Sequence, residues 1–152
     1  MAKAFNERRC IYVPATGGHP KNTEYRVAWG HELWEQPTAV TKVQMVYNNK
    51  VAGRLSPSFP DDTFDRETVI SAFALLDEGK GTNSKTSRMV LVRKEKGNFR
   101  VDDLIDQTEG EILDMYRDMY AGPITPVVNV ELDFNKDVDD NILEMLFRVD
   151  IS

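Results

Sequence analysis

Strict alternation of apolar and polar residues limits the fold of this 152-residue chain more than any other feature. Between positions 128 and 134, apolar side chains occupy every second position: Val128, Val130, Leu132 and Phe134. Successive side chains of a β-strand point to opposite faces of a sheet, so this pattern predicts a strand with one solvated face. Similar alternation, or a short apolar run, occurs at residues 10–13, 25–29, 43–47 and 89–92. We therefore expect a sheet assembled from several separate segments.

Three further segments follow the 3.6-residue period of an α-helix. They span about residues 63–78, 108–121 and 139–148, and the second starts with Thr108 and Glu111 at the spacing of a capping box. Strands mixed irregularly with helices favour an α+β fold. We expect a single globular domain over residues 1–152, with a mostly antiparallel or mixed sheet of about five to seven strands and about three helices packed on one face.

Asparagine and glycine residues mark two of the expected boundaries. Asn48 and Asn49 tolerate positive φ, and they predict a hairpin turn between the strands on either side of them. Gly79 follows the first helical segment and predicts its end, because glycine adopts the left-handed conformation that closes many helices.

The net charge of −6 conceals a strong asymmetry along the chain. Residues 80–100 carry seven basic side chains and only Glu95, whereas residues 101–152 carry three basic and 14 acidic ones. Such zones indicate either polar partners or pairing of the two zones inside the fold. Direct binding to nucleic acid is disfavoured, because phosphates repel an acidic protein unless its basic segment lies well apart from its acidic helices.

Several classes of protein are disfavoured by what the chain does not contain. No apolar run approaches the ~18 residues that a membrane-spanning helix needs, so we expect no membrane insertion. The first ten residues include no apolar core of a secretory signal, and we expect a cytoplasmic protein. One cysteine, Cys10, excludes an internal disulfide framework and favours a buried, unreactive thiol.

The loop between the first helix and residues 89–92 is the leading candidate for an anionic ligand. Its candidate donors are Lys80, Thr82, Ser84, Lys85, Thr86 and Arg88. Lysine, arginine, hydroxyl and glycine amide groups all bind phosphate. The spacing of a P-loop is absent, and the loop follows a helix instead of preceding one. The alternative is a solvated connection on the surface.

Oxygen ligands near the C-terminus follow the spacing of a calcium-binding loop. They are Asp133, Asn135, Asp137, Asp139 and Glu144. Val138 stands where the loop needs glycine, and Asp140 stands where it needs an apolar residue. We therefore expect no tight calcium site and interpret the acidic residues as the N-terminus of the third helix.

No catalytic signature is complete in this sequence. His31 and Glu35 lack the second histidine of a zinc-protease helix, and Pro37 interrupts the segment. His19 is the other histidine of the chain, and a catalytic role would require both imidazoles to converge on one reacting atom. We predict no catalytic residues and no cofactor.

The leading functional hypothesis is a non-enzymatic, inhibitor-type binding protein whose acidic C-terminal surface engages a basic protein partner. Its candidate interaction residues are Glu111, Asp114, Asp118 and Trp34. Two alternatives remain open. One is a nucleotide-binding or phosphate-binding protein, or an enzyme, that uses the loop at residues 79–88 and the basic segment after it. The other is a structural subunit of a homo-oligomer that pairs through its edge strands.

Overall fold

The computed structural model describes residues 4–152, in which seven strands form one continuous sheet and two helices pack on it. The elements are β1 (Phe5–Pro14), β2 (Thr23–Leu33), β3 (Pro37–Tyr47), β4 (Lys50–Ala52), α1 (Asp65–Asp77), β5 (Ser87–Glu95), α2 (Val101–Met119), β6 (Val128–Asp137) and β7 (Ile142–Ile151). The strand order is β4-β3-β2-β1-β5-β7-β6. Neighbouring strands are antiparallel except β1 and β5, which are parallel. The expected α+β class is confirmed.

The two helices cover opposite faces of the sheet, which corrects the prediction that they share one face. Ile11 of β1 packs in the same cluster as Leu76 of α1, whereas Tyr12 packs in the same cluster as Ile112 of α2. Consecutive strand residues point to opposite faces, so the two clusters form two separate cores. Neither helix has the long apolar stretch that would be needed to cross a membrane.

The predicted third helix is wrong, because residues 142–151 form the buried strand β7. Met145 and Phe147 face the core beneath α2, whereas Leu146 between them faces the core beneath α1. A strand buried on both faces has apolar residues at nearly every position, and this pattern also satisfies a helical period over a short segment.

The second helix begins at Val101, seven residues before the predicted cap at Thr108. Thr108 is buried in the middle of α2, and its hydroxyl donates to the carbonyl oxygen of Leu104 at 2.7 Å. This bond to the preceding turn replaces the expected capping bond. The acidic first turn is supplied instead by Asp102 and Asp103, which favour the positive end of the helix dipole.

Both turn predictions are confirmed by backbone geometry. Asn48 and Asn49 have φ values of 46° and 70° and connect β3 to β4. Gly79 has a φ of 90° and follows the C-terminus of α1. The amide of Gly79 donates to Leu76, and that of Lys80 donates to Leu75, which is the Schellman pattern of helix termination.

Gly30 of β2 is a position where only glycine is accommodated. It lies opposite the irregular register of β1 between Glu7 and Arg9. A β-carbon there would overlap the carbonyl oxygen of Asn6 and come within 2.8 Å of the α-carbon of Glu7. The backbones of β1 and β2 therefore approach too closely for any larger residue.

We predict that Gly30→Ala lowers the free energy of unfolding by about 1–3 kcal/mol, because the added methyl group forces the two strands apart. Urea denaturation measures this loss. Gly110→Ala is the matched control, since a β-carbon at that position in α2 meets no atom within 4 Å. The control should be stabilised by about 0.5–1 kcal/mol through the higher helix propensity of alanine. Equal effects of the two substitutions would contradict the close approach at Gly30.

Candidate functional site

The loop at residues 79–86 lies along β1 and forms one side of a pocket. The amide of Cys10 donates to the Thr82 carbonyl oxygen at 2.7 Å, and the amide of Thr82 donates to the Cys10 carbonyl oxygen at 3.1 Å. A pocket of about 390 Å³ lies next to this bridge, and we call it the loop pocket. It is lined by Asn6, Glu7, Cys10, Tyr12, Arg26, Thr82, Asn83, Ser84, Lys85 and Arg88.

Four of the six anion-binding candidates meet in the loop pocket, and two do not. The four are Thr82, Ser84, Lys85 and Arg88. Lys80 lies elsewhere, with its ammonium group 3.4 Å from a carboxylate oxygen of Asp133. The Thr86 hydroxyl stays outside the lining and lies 3.2 Å from that of Ser84.

Arg26 is a pocket residue that the sequence analysis missed. Its Nε and Nη2 donate to Oε1 of Gln44 at 2.9 and 2.6 Å, which holds the guanidinium in place on β2. The alternation of the sequence indicates which face Arg26 occupies: it stands between the core residues Tyr25 and Val27, so it must point to the other face of the sheet. The register of β1 with β2, which places Tyr12 opposite Arg26, was not readable from the pattern.

Arg88 lies between two aromatic rings at the inner end of the loop pocket. Its guanidinium carbon is 4.4 Å from the ring centre of Tyr12 and 5.7 Å from that of Tyr116. One terminal nitrogen, Nη2, donates to the side-chain oxygen of Asn49. The other, Nη1, is buried, lies 3.8 Å from Oε1 of Glu24, and has no hydrogen-bond partner among the described residues.

Glu24 is a fully buried carboxyl group beside Arg88. Burial raises the pKa of Glu24 to about 7, although a hydrogen bond from Tyr116 and the charge of Arg88 oppose the rise. The Tyr116 hydroxyl donates to Oε2 of Glu24 at 2.6 Å. The charge next to Arg88 therefore changes near neutral pH.

The loop pocket is suited to binding an anion. Three cationic side chains converge on it: Arg26 from β2, and Lys85 and Arg88 from the loop and the start of β5. Hydroxyl and amide donors surround them, and Glu7 is the acidic residue of the lining. Charged guanidinium and ammonium groups form the strongest hydrogen bonds that proteins offer to phosphate or carboxylate, and the neutral donors add further hydrogen bonds.

The basic and acidic zones of the sequence are partly paired in the fold. Four basic residues of the segment 80–100 contact carboxylates of the C-terminal third within 4.0 Å: Lys80 with Asp133, Arg93 with Glu144, Lys94 with Glu111, and Lys96 with Asp137. Three of these pairs neutralise part of the acidic surface, whereas the Glu144 pair is buried.

The interaction candidates have different surroundings. Glu111 accepts from Lys94 at 2.7 Å, and Asp118 lies 3.3 Å from Lys21. A hydrogen bond from Asn22, reinforced by Lys21, lowers the pKa of Asp118. Asp114 is exposed and has no ion pair within residues 4–152. Trp34 is 59% exposed at the turn between β2 and β3.

The calcium-loop candidates are spread along the β6–β7 hairpin. Asp133, Asn135 and Asp137 are exposed on β6, and the Asp139 carboxylate accepts the amides of Asn141 and Ile142 within the turn. Glu144 is fully buried on β7 against Arg93. Within the described part of the chain, no three histidine, cysteine or acidic side chains are grouped so that they could hold a metal ion.

The two histidines lie toward opposite ends of β2. His19 is 3.2 Å from the hydroxyl of Tyr25, whereas His31 packs edge-on against Trp29. Tyr25 and His31 are six residues apart on the strand, which corresponds to ~20 Å.

Cys10 is buried, and burial raises the pKa of its thiol to about 11, so the thiol stays protonated near neutral pH.

No protein-family model, curated protein or solved structure matches this chain.

Proposed function

We propose that the protein binds a small anionic ligand, such as a phosphate compound, in the loop pocket. The observation that carries this proposal is the convergence of Arg26, Lys85 and Arg88 on one pocket of about 390 Å³ in a chain of net charge −6. That volume lies within the usual range of small-molecule sites.

The surroundings of the three cations favour ligand binding. Arg26 is held by Gln44, and Arg88 is held by Asn49 and the ring of Tyr12, so both guanidinium groups are oriented before a ligand arrives. Such preorganisation lowers the entropic cost of binding. Lys85 is exposed and has no ion pair within residues 4–152, which leaves its charge available to the ligand.

A second candidate function is the binding of a basic protein surface by α2. Within the described residues, five of its carboxylates are in no ion pair: Asp102, Asp103, Asp106, Glu109 and Asp114. Rows of carboxylates on a rigid helix attract lysine and arginine and accelerate association with a basic partner. This function uses a surface outside the loop pocket, so charge substitutions can separate the two candidates.

We predict that pyrophosphate binds the loop pocket and that Arg26→Gln or Lys85→Gln weakens this binding about tenfold each, because each substitution removes one charge-assisted contact. Isothermal titration calorimetry measures the affinities. Arg54→Gln is the matched control, since Arg54 is equally cationic and exposed but lies in the turn after β4.

Equal weakening in all three variants would show nonspecific attraction and would exclude a built site. Lys85→Gln and a charge-reversal variant of α2 test the second function. Capture of a protein from a cell extract should be unaffected by Lys85→Gln under either proposal, but Asp106→Lys with Asp114→Lys should abolish it if α2 is the working surface. The α2 proposal would be rejected if Lys85→Gln lost capture while the double variant Asp106→Lys with Asp114→Lys kept it.

A further inference from the structure

The C-terminal end of the central strand β5 has an edge with no neighbouring strand in the described residues. On one side, β5 pairs with β7 along its whole length, from Ser87 to Glu95. On the other side, its pairing with β1 covers only Met89 and Val90. β1 ends at Pro14, which lies opposite Val92 in this register, while β5 continues for three further residues. A strand edge of this kind presents free amide and carbonyl groups.

This edge forms one wall of a cleft of about 690 Å³, which we call the sheet cleft. Five consecutive β5 residues, Leu91 to Glu95, line it. Side chains of a strand alternate between faces, so an uninterrupted run shows that the cleft follows the edge of β5 and not one of its faces. The sheet cleft shares no lining residue with the loop pocket.

The opposite wall of the sheet cleft is held in place by buried hydrogen bonds. It is formed by the end of β1, the loop after it and the first turn of α1. The Asp65 carboxylate at the start of α1 accepts the amide of Thr16 at 3.0 Å and the hydroxyl of Tyr25 at 2.8 Å. One wall of the sheet cleft is therefore held by the pairing of β5 with β7, and the other is held by the hydrogen bonds of Asp65.

The lining of the sheet cleft indicates the chemistry of its occupant. On the α2 side, the half-buried Val92 and Met115 form an apolar patch next to the buried Ile112. Asp62 and Glu95 also line the cleft, are exposed, and are in no ion pair within residues 4–152. The cleft therefore combines strand-pairing groups, an apolar patch and excess negative charge.

We propose that the sheet cleft binds an extended, basic peptide segment of a partner protein, which adds a strand to the open edge of β5. Main-chain hydrogen bonds to β5 provide affinity, as in other cases of strand addition. Alternate side chains of the peptide contact the patch at Val92 and Met115, and its lysine or arginine residues face Asp62 and Glu95.

Amide hydrogen exchange and a synthetic peptide test this proposal. In the free protein, the amides of Arg93 and Glu95, which point away from β7, should exchange rapidly although β5 is a central strand. A hexapeptide of alternating valine and lysine at about 1 mM should slow this exchange and shift the same amide resonances in NMR spectra. The same hexapeptide N-methylated at alternate residues should bind about tenfold more weakly, because it cannot form the main-chain bonds.

Charge variants complete the test. Glu95→Lys should weaken the valine–lysine peptide about fivefold, whereas Glu78→Lys, at the exposed C-terminal end of α1, should not change its affinity. Resonance shifts confined to the outer face of α2, equal binding of the N-methylated peptide, or no shift at β5 would each overturn the proposal. Concentration-dependent dimerisation that protects the same amides would assign the edge to a second copy of the chain and would also overturn it.

Discussion

Replacing Arg93 with methionine should destabilise the protein by about 3–5 kcal/mol, because it leaves a buried carboxylate without its main partner. Glu144 is fully buried on β7. Nε and Nη2 of Arg93 donate to its Oε2 at 3.2 and 2.9 Å. Lys136 remains nearby, but its ammonium nitrogen is 3.6 Å from Oε1. Urea denaturation at pH 7 measures the loss.

The double variant Arg93→Met with Glu144→Leu is the control for this prediction. It removes both charges, so no unpaired ion remains, and most of the lost stability should return. A single Arg93→Met variant that loses less than about 1 kcal/mol would contradict the assignment, since that is the range of an exposed ion pair.

Stability should fall by about 3 kcal/mol between pH 4.5 and pH 7 because of Glu24 alone. Burial raises the pKa of this carboxyl from 4.5 to about 7 in the folded protein. Below pH 4.5, both states hold the proton. As the pH rises, the unfolded chain releases it first and the unfolded state is increasingly favoured. The loss is complete above about pH 7.

Glu24→Gln should remove this dependence, because the amide does not titrate and its oxygen can still accept from Tyr116. The measurement is the difference between the pH–stability curves of the two proteins. Glu78→Gln is the control, and its curve should run parallel to that of the original protein because Glu78 is exposed. If the Glu24→Gln curve is also parallel, the carboxyl titrates at its ordinary pKa in the fold.

Local patterns predicted the strands and the first helix well, and they failed where burial or long-range pairing decides. Asn48, Asn49 and Gly79 have left-handed geometry for reasons contained in a few neighbouring residues. The segment at 142–148 became a strand because β5 and β6 pair with it on both sides. Its apolar residues satisfy either period, and only the neighbouring strands decide between them.

The candidate site was partly readable from the sequence. Thr82, Ser84, Lys85 and Arg88 stand within seven residues of one another in the chain, so their meeting in one pocket is a local property. Arg26 reaches the same pocket only because β2 pairs with β1 and the loop bridges to Cys10. The raised pKa of Glu24 depends on burial beneath Arg88 and Tyr116, which no pattern around residue 24 indicates.

The parallel contact between β1 and β5 also determines how the sheet can be assembled during folding. Strands β1 to β4 are consecutive in sequence and pair as hairpins, so they require only short loop closures. The contact of Ile11 with Met89 joins positions 78 residues apart. Closing that loop costs about 2 kcal/mol more than closing a ten-residue loop, and it is rewarded by only two paired positions on each strand. Cohesion between the two halves of the sheet therefore comes from the helices and side chains packed across this junction more than from its backbone ladder.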